Sequence, residues 1–256
     1  MVFGKWIKHL VKKGNIVIFP KYQKNLSVPK TEKFDDYAVA AIENAYRELN
    51  TGNHVKPDNS PLCMVGHSFG GAIIAKFLSD QGDYKFPKIE GAMLVSPGTG
   101  PFQKFEYDDY STIPENVQLL VMVSEGDLTV GDSFGKKVFN TAVNTPKRNL
   151  IRQFQDDYGK PKIRHGHVEC YAKDKEFDSG RHGYSYQRAK KSRMDPVDYN
   201  GYWKLLDALL DCTRSDKNCN IAFGNSLEQR SLGNWSDGTP IKELEITLPP
   251  NWQLWF

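Results

Sequence analysis

Val65-Gly66-His67-Ser68-Phe69-Gly70-Gly71 is the stretch of this chain whose residue types and spacing most directly suggest chemistry. An apolar run, Pro61 to Val65, enters it, and a helix-forming run of small and apolar residues, Gly70 to Ser79, leaves it. Ser68 therefore falls on a strand-to-helix turn. Such a turn strains the serine backbone, and glycine is expected on either side because a Cβ there would clash. The hydroxyl then stands above the sheet, beside the positive end of the next helix. The competing reading is a glycine-rich turn with an incidental serine.

A serine hydroxyl attacks poorly until a histidine takes its proton and a carboxylate orients that histidine. Asp127 leads among the acids because it lies just past the apolar run Val121-Met122-Val123-Ser124. Glu125 and Asp132 are the alternatives, and a helix-capping role for Asp127 competes with the catalytic one. His165, His167 and His182 follow. His165 and His167 are two apart, so extended chain points them the same way, and in a turn only one can reach Ser68. His167 is favoured as the base, with His165 as the alternative base and His182 as a third candidate. His9 and His54 read as surface or structural residues, and His67 as a packing or pocket-lining one. The backbone N–H of Phe69 is the expected oxyanion donor.

The elements that must position these groups alternate. A helical pattern over Trp6, Ile7, Leu10 and Val11 ends at Gly14. Asn15 to Phe19 reads as a buried strand, Thr31 to Asn50 as a helix capped by Thr31, and Pro61 to Val65 as a strand. Strands are expected at Ile89 to Ser96, Val117 to Ser124 and Asn149 to Phe154, with a helix at Ser133 to Asn140. Strands apolar throughout and separated by helices indicate an α/β fold, a mostly parallel sheet covered by helices on both faces. Residues 1–256 read as one domain. Within it, 172–198 is a long loop excursion, Tyr202 to Asp211 an amphipathic helix, and 221–256 a tail wrapping the surface.

With these residues in place, the chain resembles the α/β-hydrolase superfamily. Its latter part is similar to a bacterial group of uncharacterised hydrolases, through Asp157-Tyr158-Gly159-Lys160-Pro161 with His167 after it. Tyr199-Asn200-Gly201-Tyr202-Trp203-Lys204-Leu205 and Gly224-Asn225 through Gln229-Arg230 to Gly233-Asn234-Trp235-Ser236-Asp237-Gly238 carry the same likeness. Tyr158 stands where that group often has histidine, whereas His167 matches its later histidine. The resemblance implies the chain order serine, acid, histidine, which His9 and His54 do not fit. It also implies strands before the first helix and a loop there that supplies a second oxyanion N–H. Here the first helical pattern starts at Trp6, so this sheet is expected to lack its N-terminal strands. Either the chain comes from a longer gene product or it has lost those elements. The expected consequences are an exposed sheet edge, an oxyanion hole reduced to the Phe69 N–H, and a poorly soluble or weakly active chain.

The expected function is a serine hydrolase that cleaves carboxylic esters through an acyl-enzyme. A small-molecule or polymer-end ester is the substrate, and no metal or organic cofactor is implied. With only Pro97 to Asn116 after the strand ending near Ser96, there is no room for a helical cap. Phe102 to Tyr107 is expected to line a pocket edge, giving a shallow cleft suited to short acyl groups. The alternatives are thioester or peptide cleavage by the same triad, or a non-catalytic protein of this fold that binds a ligand or partner.

Composition fits this reading. The 256 residues are 39% apolar and 25% charged, with 34 basic against 31 acidic side chains, so the net charge of +3 gives no case for a nucleic-acid partner. The Gln187 to Arg193 charge run reads as a solvated loop. No apolar stretch reaches the roughly 20 residues of a membrane span, and no signal peptide is visible, which favours the cytoplasm. Cys63, Cys170, Cys212 and Cys219 form no CxxC pair. Cys63 reads as a small core residue, and Cys212 with Cys219 as either a short disulfide loop or two free thiols.

Overall fold

The computed structural model describes residues 2–23, 30–58, 60–80, 82–100, 105–176, 187, 192–250 and 252. Four strands run parallel and lie side by side in chain order: β1 (Leu62–His67), β2 (Ile89–Val95), β3 (Gln118–Ser124) and β4 (Arg148–Gln153). A short β5 (Glu245–Thr247) pairs antiparallel with β4. Helices α3 (Phe69–Asp80) and α4 (Ser133–Thr141) follow β1 and β3.

Alternate residues of the central strands serve opposite faces. Met93, Leu120 and Met122 pack with Trp6 and Leu10 of α1 (Gly4–Lys12) and with Leu205 and Leu209 of α5 (Lys204–Ser215). Leu94, Leu119 and Val121 pack on the other face with Ile74, Leu78 and Phe139. Helix α2 (Phe34–Asn50) covers α3 through Ala38, Ile42, Ile73 and Phe77. The fold is thus a mostly parallel sheet with helices on both faces. No described helix is long and apolar enough to cross a membrane.

Several local expectations change. Asn15 to Phe19 forms no strand, because a β-branched run becomes a strand only when a ladder partner lies beside it. On the described residues, β1 pairs with β2 alone and ends the sheet. Thr31–Lys33 forms a 3-10 turn, and Lys33 rather than Thr31 occupies the α2 N-cap. The helix expected from Tyr202 is preceded by a π-helical stretch, Asp198–Trp203. The tail enters the core, since Leu232, Ile241 and Leu244 are buried and β5 extends the sheet. It also carries α6 (Cys219–Phe223) and α7 (Leu227–Arg230). Cys212 and Cys219 form a disulfide, and Cys63 is only half-buried at the β1 edge. Of the 172–198 excursion, 177–186 and 188–191 lie outside the described residues, as do 101–104 and 253–256.

Candidate active site

Strand β1 ends at His67 and α3 begins at Phe69, which leaves Ser68 alone to make the turn. Its φ of 57° lies in the left-handed region, at a cost of order 1–3 kcal/mol for a residue other than glycine. The Ser68 N–H donates to Val95 O (3.0 Å), and Ser68 O accepts from the Gly71 N–H (2.9 Å), so the turn is bound on both sides. A Cβ on Gly66 would sit 2.5 Å from the Gly70 carbonyl group, and one on Gly71 would sit 2.8 Å from Pro97 Cβ. A Cβ on Gly70 would meet nothing closer than the Tyr22 hydroxyl at 3.8 Å. The crowding that demands glycine therefore acts at 66 and 71, not at 70.

Asp127 and His167 converge on this serine. His167 Nε2 lies 2.9 Å from Ser68 Oγ, and His167 Nδ1 lies 2.7 Å from Asp127 Oδ2. The other Asp127 oxygen accepts the N–H groups of Thr129 (2.9 Å) and Val130 (3.1 Å). Burial by itself would raise the Asp127 carboxyl. The His167 hydrogen bond and charge, with the two backbone donors, outweigh burial and hold it below the usual carboxylate range. An ionised carboxylate only accepts, so Nδ1 carries the proton toward Asp127 and Nε2 is left to accept from the Ser68 hydroxyl.

The other candidates sit elsewhere. The His165 ring packs against Gly126, and its carbonyl accepts from the Ser124 hydroxyl. Glu125 is exposed. Asp132 stands at the α4 N-cap position, makes no side-chain capping bond, and pairs with Lys136 and Arg152. His9 bonds Asp207 at 2.8 Å, and His54 lies on the surface. His182 lies outside the described residues.

Sequence reasoning missed the part taken by His67. Its ring is tilted on His167 with centroids 4.6 Å apart, and its Nε2 lies 2.7 Å from the His167 carbonyl oxygen. Burial, then the nearby His167, pushes its pKa down to about 3, so it is a neutral N–H donor to that carbonyl. A histidine beside a nucleophile motif is the only sequence signal for it.

The Phe69 N–H opens α3, where an amide has no intrahelical acceptor. The Phe69 ring packs on Phe34 and Phe105, so Phe105 joins the packing beneath the turn instead of lining a pocket edge, while Phe102 lies outside the described residues. A cavity of about 460 Å³ adjoins the Asp127 loop, lined by Thr99, Glu106, Asp108, Thr129 and Lys137. Two residues past His167, Glu169 is buried, and burial with the charge of Asp195 pushes it up to about 7. Asp198, fully buried nearby, rises to about 8, chiefly through burial.

No protein-family model matches the chain, and no curated protein sequence is similar to it. Solved structures do align. A protein of unknown function from Agrobacterium tumefaciens is 14% identical, with a TM-score of 0.40 over 74% of this chain and 70% of its own. A putative YdeN-like hydrolase from Pectobacterium atrosepticum is 18% identical, with a TM-score of 0.38 over 64% and 69%. A predicted CIB-like hydrolase from Thermoplasma acidophilum is 14% identical, with a TM-score of 0.41 over 64% and 69%.

Proposed function

We propose that this protein is an α/β-hydrolase-type serine hydrolase that cleaves carboxylic esters through an acyl-enzyme. The observation that carries the reading is the relay from Asp127 through His167 to Ser68, at 2.7 and 2.9 Å, on a serine held in left-handed backbone. In the first step Ser68 Oγ bonds to the ester carbonyl carbon as its proton passes to His167 Nε2. Asp127 stabilises the imidazolium, and the Phe69 N–H donates to the oxyanion. His167 then returns the proton to the departing alcohol, and water attacks the acyl-Ser68 ester by the same relay. Short acyl esters are the expected substrates.

A fluorophosphonate probe tests the class. The folded chain should be labelled covalently and Ser68→Ala should not be. A folded chain that resists labelling would instead indicate a non-catalytic binding protein. Turnover of thioesters or peptides in preference to p-nitrophenyl butyrate would move the reading to a thioesterase or peptidase with the same relay.

A further inference from the structure

The last residues of all four parallel strands grip the relay. Strand β2 holds the serine, since its Val95 carbonyl accepts the Ser68 N–H at 3.0 Å. The other three strands end in polar side chains, His67 on β1, Ser124 on β3 and Gln153 on β4. All three act on one short segment, Arg164 to His167. Gln153 Nε2 donates to Arg164 O at 2.7 Å, the Ser124 hydroxyl donates to His165 O, and His67 Nε2 donates to His167 O at 2.7 Å.

Packing alone does not ask for these polar groups. Ser124 and Gln153 are register partners across β3 and β4, two residues beyond Met122 and Ile151 of the apolar core. Alternation puts them on the same face, where apolar side chains would continue that core. Gln153 is fully buried, so an unpaired amide there would be costly, and both of its ends are bonded. Arg164 O only accepts, which turns Nε2 toward it and Oε1 toward Tyr202. The buried Tyr202 hydroxyl donates to Oε1 at 2.8 Å. Tyr202, carried by the π-helical stretch Asp198–Trp203, thus sets the orientation of the amide and acts on the loop through Gln153.

We propose that Ser124 and Gln153, with Tyr202 behind Gln153, are positioning residues that hold the His167 ring in line with Ser68 Oγ. The inference rests on the hydrolase reading. The serine backbone is fixed from β2 and the base loop from β1, β3 and β4, so the register of the sheet itself sets the 2.9 Å between His167 Nε2 and Ser68 Oγ. A loop tied at carbonyls 164, 165 and 167 has little freedom to swing its ring, and a base misplaced by about 1 Å loses on the order of 100-fold in rate. The ties share one segment, so losing two lowers kcat by more than the two single losses multiplied. Their bonds go to backbone carbonyls and not to the reacting atoms, which leaves KM unchanged.

The test compares Ser124→Ala, Ser124→Thr, Tyr202→Phe and the double variant Ser124→Ala/Tyr202→Phe in the full chain. Turnover of p-nitrophenyl butyrate and backbone amide exchange over residues 164–168 are the two readouts. Ser124→Ala should lower kcat about tenfold and Tyr202→Phe about three- to tenfold, both at unchanged KM. Exchange over 164–168 should quicken in both, and Ser124→Thr, which keeps a donor, should recover part of the loss. Tyr202→Phe removes one oxygen and keeps the ring, so it decides alone if Ser124→Ala folds poorly. A lower unfolding temperature with kcat and loop exchange unchanged would make the ties merely structural and overturn the proposal. An unaltered chain that neither hydrolyses the ester nor takes up a fluorophosphonate would overturn the hydrolase reading, and this inference with it. An active chain whose kcat ignores every substitution would overturn this inference alone.

Discussion

His67 Nε2 donates to the carbonyl oxygen of His167 across 2.7 Å, so the residue before the nucleophile candidate holds the backbone of the base candidate. Burial holds His67 neutral, and the carbonyl of His167, which only accepts, fixes the ring proton on Nε2. His67→Ala should lower kcat for p-nitrophenyl butyrate about 10- to 100-fold with KM nearly unchanged, since small misplacements of a reacting group are that costly. His67→Gln, whose amide can still donate, should recover part of the loss. An unchanged kcat in His67→Ala would remove the positioning role.

The relay itself predicts a graded series. Ser68→Ala and His167→Ala should each reduce hydrolysis to near background, because such groups act as a unit. Asp127→Asn should cost roughly 10⁴-fold in kcat, by leaving the imidazole in the wrong tautomer. His165→Ala should keep activity. Loss of activity in His165→Ala with retention in His167→Ala would reverse the assignment of the base.

Glycine 66 and glycine 70 should respond oppositely to alanine. The Gly66→Ala methyl would press on the Gly70 backbone at 2.5 Å, so soluble yield and activity should both collapse. Gly70 lies inside α3 with open space at its Cβ position, and Gly70→Ala should fold with equal or slightly higher thermal stability. Comparable damage in both would show that the motif's symmetry, and not this crowding, sets its requirement.

Stability should fall as pH rises through neutrality. Glu169 and Asp198 titrate near 7 and 8 in the folded chain, above their ordinary 4.5 and 3.8, so the native state binds more protons in that window. Their contribution is complete below about pH 4 and is lost as pH climbs through about 7 to 8. Asp127 acts in the opposite sense and loses its contribution in acid. The unfolding temperature, scanned from pH 5 to 9, should decline toward the alkaline side. Asp198→Asn, which can still accept the Asp195 N–H, should flatten the decline. A slope that is the same in this variant would assign the effect to other groups.

The Cys212–Cys219 disulfide closes a loop with a sequence separation of 7. Loop-closure entropy for so short a ring corresponds to about 2–3 kcal/mol. Reduction with dithiothreitol, or Cys219→Ser, should lower stability by that order in urea unfolding. An unchanged midpoint would mean that packing of Cys212 alone holds the α5–α6 corner.

Local information accounts for much of what could be read before the fold was known. Apolar runs long enough for strands and bounded by turn residues mark β1 to β4. The small residues after Ser68 mark α3, because each signal acts within a few residues of itself. Asn15 to Phe19 shows the limit of that logic. Its β-branched run has strand propensity, but a strand also needs a ladder partner, and on its inner side lies a cavity. The short run at β5 has no such pattern and becomes a strand because β4 offers an open edge.

The candidate site divides in the same way. The sequence by itself determined that Ser68 stands at a strand-to-helix turn and that Asp127 follows a later strand, because both are consequences of adjacent residues. Only the tertiary structure decided that His167, and not His165, faces Ser68, and that His67 secures the His167 carbonyl. Those contacts join residues about a hundred positions apart, where the path of the intervening chain, and not any local preference, sets which side chains meet.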